Sequence, residues 1–120
     1  MTLPLARAHG MGVIAKRPLA NVAWQHGTQP ADPYLQAYWE RLRRLDYDVL
    51  RQGVSEAVGM ALRFTLSVDG VHTAIVGSAQ PGRWRQNAAL LTAGPLPQEA
   101  FEAIRACWHA RAGADWHGEE

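Results

Sequence analysis

Two short apolar runs set the limits on this fold. Gly12-Val13-Ile14-Ala15 is unbroken by polar residues and halted by Lys16-Arg17-Pro18, and His72-Thr73-Ala74-Ile75-Val76 stops at Gly77-Ser78. Runs of this length without alternation predict parallel strands covered on both faces. Helical patterns lie around them. Thr2 to His9 reads as the end of a helix, with Gly10 at its C-cap. Asp32-Pro33 supplies an N-cap followed by proline at the first helical position, and Leu35, Tyr38, Trp39, Leu42 and Leu45 then recur on one face. A second helix starts near Ser55, carries Val54, Ala57, Val58, Ala61, Leu62 and Thr65 on one side, and closes at Asp69-Gly70. Pro81 is expected to open a third that runs to about Thr92, where Gly94-Pro95 breaks it. A last helix follows Pro97, with Ala100, Phe101, Ile104, Cys107, Trp108 and Arg111 at helical spacing. The stretch from Asn21 to Asp32 reads as a polar loop, and residues 113–120 as an irregular tail.

Strands that alternate with helices predict βα units and a parallel sheet. Two strands alone leave unpaired edges and uncovered faces, so the pattern predicts a portion of a larger α/β unit. At 120 residues the chain makes one domain at most. Lys+Arg 12 against Asp+Glu 11 gives a net charge of +1, which argues against a nucleic-acid partner or a polybasic membrane module. The lone cysteine, Cys107, has no internal partner for a disulfide, which together with the lack of a basic, apolar leader in Met1 to Arg7 predicts a cytoplasmic location. No apolar run approaches the roughly 18 residues of a membrane helix.

Longer phrases carry a family resemblance. Gly10-Met11-Gly12-Val13-Ile14-Ala15-Lys16-Arg17-Pro18-Leu19-Ala20 resembles the strand-7 segment of aldo-keto reductases, commonly "GIGVIAYSPLG". Ala61-Leu62-Arg63-Phe64, Thr73-Ala74-Ile75-Val76-Gly77-Ser78 and Gln80-Pro81 through Asn87 are similar to that family's helix-7, strand-8 and cofactor-loop signature. The segment from Trp108 to Trp116 resembles the family's C-terminal segment, so the likeness spans nearly the whole chain. It implies a partial TIM (β/α)8 barrel, the C-terminal portion with two parallel strands and several helices, with residues 1–120 forming one segment of an NADP-dependent carbonyl oxidoreductase. A full barrel of this kind takes about 250 residues.

The resemblance also implies roles. Ser78, Gln80 and Arg83 match residues near the adenosine 2′-phosphate of NADP(H), Gln86 and Asn87 match residues near the adenine, and Pro18, Leu19 and Asn21 match the loop along the pyrophosphate. Gly77 stands where many members carry lysine, which leaves NADP against NAD preference open. Lys16 stands where many members stack an aromatic ring on nicotinamide. The family's catalytic Asp, Tyr, Lys and His have no counterparts, and Tyr34, Tyr38 and Tyr47 match none of them. No catalytic residue is therefore carried over. The expected function is the adenosine and phosphate side of a cofactor site, inactive in carbonyl reduction alone. The alternatives are a non-catalytic NADP(H)-binding or barrel-completing module, whose expected partner is an N-terminal barrel half, and a self-associated structural assembly.

Other signals are weaker. Gly10-Met11-Gly12-Val13-Ile14-Ala15 formally fits the dinucleotide fingerprint, but that fingerprint follows a strand and opens a helix, the reverse of the order here. Arg41 to Arg44 reads as a solvated helix face, given Glu40, Asp46 and Asp48 beside it. The five histidines show no paired ligand spacing, so no metal is expected.

Overall fold

The computed structural model describes residues 2–118. In chain order it has α1 (Thr2–Ala8), β1 (Ile14–Lys16), a 3-10 segment (Ala20–Gln25), α2 (Pro33–Leu45), a 3-10 turn (Asp48–Arg51), α3 (Val54–Ser67), β2 (Thr73–Ile75), α4 (Arg83–Leu90) continued by a 3-10 turn (Leu91–Ala93), and α5 (Gln98–Arg111). The strands pair in parallel with Ile14 beside Thr73, Ala15 beside Ala74 and Lys16 beside Ile75. The chain is thus α/β, with two parallel strands and several helices.

Local chemistry explains the helix ends. Asp32 caps α2 by accepting a 2.9 Å hydrogen bond from the Tyr34 amide, with Pro33 at the first helical position. At its other end Asp46 turns left-handed (φ 49°) and donates its amide to the Leu42 carbonyl, the geometry that stops a helix. The freed Leu45 carbonyl accepts from the Arg111 guanidinium at 2.7 Å and from the Cys107 Sγ at 3.1 Å. Those bonds tie α5 to α2. A stacked pair, Phe64 on Phe101 with centroids 4.9 Å apart, ties α5 to α3. Leu45 and Leu62, each 3% exposed, mark the centre of what core there is. Beside it, burial and the nearby Cys107 push the Tyr47 phenol up to about 12.

Three expectations need correction. The strands are not covered on both faces: Ile14 and Ile75 are 59% and 60% exposed, because on their side of the sheet no described element packs over them. The helix expected from Pro81 begins at Arg83, since Gly82 adopts a left-handed φ of 77°. The expected loop from Asn21 holds the 3-10 segment Ala20–Gln25, whose buried Ala23 anchors it.

That segment is strained. Ala20, Asn21 and Val22 are consecutive left-handed residues, with φ of 44°, 54° and 57°, a conformation costing L-residues about 1–2 kcal/mol each. Ala20 stands where the commoner family phrase has glycine. Ala20→Gly should therefore raise unfolding free energy by about 0.5–1 kcal/mol, the relief exceeding glycine's entropic cost. Urea denaturation measures it; a loss of stability would show the turn to be relaxed.

Candidate functional site

The C-terminal ends of both strands run into loops, and these loops meet α3 and α4 around two adjoining clefts. Ile75 leads into Val76-Gly77-Ser78, where the Ser78 hydroxyl accepts a 3.1 Å hydrogen bond from the Gln80 amide and rounds the loop. Pro81 and Gly82 then turn the chain into α4. This brings Arg83 to the first helical position, its guanidinium donating to the Gln80 side-chain carbonyl. Gln86, Asn87 and Leu90 follow along the same wall.

The larger cleft has a volume of about 770 Å³. Of the nine residues singled out from the sequence, it gathers Leu19, Gly77, Ser78, Gln80, Arg83, Gln86 and Asn87. Pro18 and Asn21 line the adjoining cleft of about 390 Å³, together with Lys16 and Arg17. The two clefts share Leu19, Val22, Val76 and Gly77, so the strained turn forms the divide between them. Sequence reasoning missed Val22 and Gln25, which the 3-10 segment supplies, and the cleft-lining role of Val54, Ser55 and Val58 on α3. The apolar face of α3 was a signal for Val54 and Val58; nothing in the sequence pointed to Gln25.

The electrostatics favour an anion. Arg83 is the one charged residue lining the larger cleft among the described residues. Lys16 and Arg17 line the smaller one, and among the described residues no carboxylate lines either. Arg17 is held in place: it donates to the Tyr38 hydroxyl at 2.9 Å and lies 5.0 Å from the Tyr34 ring centroid. The start of α4 contributes less than its position suggests. The Arg83 amide donates to the Gln80 carbonyl, and the Arg85 and Gln86 amides donate to the Gly82 carbonyl, so these donors are engaged within the turn. The pull on an anion rests on the guanidinium and ammonium groups.

A cofactor with a phosphorylated adenosine fits this donor set. A Cβ built at Gly77 meets no atom within 4 Å, so the backbone there is open to a close neighbour. The Gln86 and Asn87 side chains offer paired donors and acceptors of the kind a purine edge needs, beside the Arg83 charge. Tyr34 and Tyr38 lie on α2 with their rings 6.1 Å apart, behind Arg17, and line neither cleft; among the described residues no tyrosine or histidine lines either one. Among the described residues there is no group of three or more metal-ligating side chains, and no helix is long and apolar enough to cross a membrane.

Compared with known families, the chain matches the family model described as "Aldo/keto reductase family" over residues 1–109. No curated protein and no solved structure matches it.

Proposed function

Because this chain belongs to the aldo/keto reductase family, whose members are oxidoreductases of TIM-barrel type, we propose that it forms the C-terminal part of such a barrel and supplies the adenosine and phosphate side of an NADP(H) site. The observation that carries the reading is the convergence of Ser78, Gln80, Arg83, Gln86 and Asn87 on one carboxylate-free cleft, with Lys16 and Arg17 next to it. Arg83 holds the adenosine 2′-phosphate or stacks on the adenine ring. Gln86 and Asn87 orient the base, and the loop of Pro18, Leu19 and Asn21 flanks the pyrophosphate with Lys16 in reach of its charge. The bound cofactor supplies a hydride for carbonyl reduction. The protonating half of that reaction has no residue in this chain, and the 120 residues alone are accordingly inactive.

Two measurements on the purified chain test this. NADPH titration followed by cofactor fluorescence is expected to show saturable binding, and NADPH with a panel of aldehydes and ketones is expected to show no oxidation above background. Absence of binding would overturn the cofactor role. Carbonyl-dependent turnover would overturn the assignment of the chemistry to residues outside this chain. Binding without turnover also suits the second reading, a non-catalytic NADP(H)-binding or assembly module, favoured by a lining that has no tyrosine or histidine in either cleft among the described residues. Restored turnover on adding a polypeptide with the family's catalytic tyrosine separates the two.

A further inference from the structure

One cation at the smaller cleft is fixed by residues outside it. Arg17 lines that cleft beside Lys16, yet its side chain is held from behind by α2. Its Nη1 donates to the Tyr38 hydroxyl at 2.9 Å in a part-buried bond, and the guanidinium lies 5.0 Å from the Tyr34 ring centroid. The two rings sit one helical turn apart and meet edge to face, so each braces the other. A surface arginine keeps its rotamer freedom until a ligand orders it, and that ordering weakens binding. Here the ordering is complete before any ligand arrives.

Backbone and sequence add to this. Arg17 is left-handed, with φ 56°, a conformation that non-glycine residues keep where the surroundings impose it, as at ligand clamps. Lys16 and Arg17 stand where the commoner family phrase has tyrosine and serine, so this pair of cations is a departure of this chain. Among the described residues no carboxylate lines their cleft, and the cleft continues the larger one across Leu19, Val22, Val76 and Gly77.

We propose that Arg17 grips the diphosphate of the dinucleotide, and that Tyr38 and Tyr34 are positioning residues that aim it, which makes α2 a working part of the site. The proposal rests on the cofactor reading above. With the adenosine beside Gln86 and Asn87, the diphosphate runs along the shared wall toward Arg17. A planar guanidinium meets two phosphate oxygens at once, and the Lys16 ammonium adds a point charge. Tyr38 sets the arginine rotamer through its hydroxyl, and the Tyr34 ring packs on the guanidinium. Neither tyrosine lines a cleft, so neither touches the cofactor.

Calorimetric titration of the whole chain with NADPH, and with adenosine 2′-monophosphate, which has no diphosphate, tests both claims. Arg17→Gln should weaken NADPH at least about tenfold and leave the mononucleotide within about twofold. Tyr38→Phe keeps the ring and the Arg17 charge; it should weaken NADPH about threefold, by freeing the arginine rotamer, and spare the mononucleotide. Salt separates aiming from charge. The salt dependence of NADPH binding should flatten in Arg17→Gln and keep the parent's slope in Tyr38→Phe. Arg17→Lys should restore the slope without the full affinity, because an ammonium cannot fork onto two oxygens. The slope reads NADPH alone, so it decides even where the mononucleotide binds too weakly to measure. Circular dichroism checks folding, and the two conservative variants carry the test if Arg17→Gln does not fold. Equal weakening of both ligands by Arg17→Gln makes Arg17 a staple between the turn and α2 and overturns the proposal. So does an unchanged NADPH affinity, or a slope altered as much by Tyr38→Phe as by Arg17→Gln. A parent that binds neither ligand is a different result: it fails the cofactor reading itself, and the proposal falls with it.

Discussion

Replacing Leu62 with alanine is expected to cost about 2–4 kcal/mol of unfolding free energy, the range for deleting a buried leucine where the surroundings collapse only in part. Leu62 is 3% exposed and sits on α3, which also buries Ala57 and Gly59. The approach at Gly59 is close: a Cβ built there would lie 3.6 Å from the Leu90 side chain of α4. The core is thin, since three of the seven buried apolar residues among those described are alanines. Little else compensates. A domain of this size commonly has about 5–15 kcal/mol in all, so the substitution removes a large share. Urea unfolding monitored by tryptophan fluorescence should show a lower midpoint at unchanged slope. The exposed control Trp84→Ala should stay within about 0.5 kcal/mol of the parent. Equal losses for the two would mean that α3 does not organise the core. A real loss at Leu62 also bears on the site, because α3 carries Val54, Ser55 and Val58 into the larger cleft.

Sequence patterning read the helices well where polar and apolar faces contrast. The Asp32-Pro33 start of α2 and the positions of α3 and α5 follow from caps and spacing, which are local properties. Both strands were legible as apolar runs, and their parallel pairing followed from the intervening helices. What failed was burial. Ile14 and Ile75 look like core residues in the sequence, yet their exposure depends on which other strands lie across the sheet, and that is a non-local fact. The start of α4 shifted for a local reason: Gly82 takes a left-handed conformation that only its neighbours' geometry demands. The site was readable mainly through the resemblance. Spacing alone does not announce that Ser78, Gln80, Arg83, Gln86 and Asn87 share a wall, and the 3-10 segment that delivers Val22 and Gln25 has no composition signal.

Reversing the charge at Arg83 should weaken NADPH binding at least about tenfold, since a charge-assisted hydrogen bond contributes about 1.5–3 kcal/mol and 1.4 kcal/mol is tenfold. Arg83 is the charged lining residue of the larger cleft, and its guanidinium is aimed by a side chain of the same loop, Gln80. Arg83→Glu removes that cation and leaves a carboxylate in a cleft that has none. The fold should tolerate the change, because the hydrogen bond to Gln80 lies within one turn and anchors no distant element. Thermal unfolding of the variant checks this independently of binding. Comparing cofactors then locates the contact. If the guanidinium meets the 2′-phosphate, Arg83→Glu weakens NADPH far more than NADH; if it stacks on the adenine, both weaken alike. Raising the salt from 50 to 500 mM should weaken NADPH for the parent and change the variant less, as screening acts on an attraction the variant lacks. An NADPH affinity unchanged by the substitution would remove Arg83 from the site, and with it the electrostatic argument for a phosphate in this cleft.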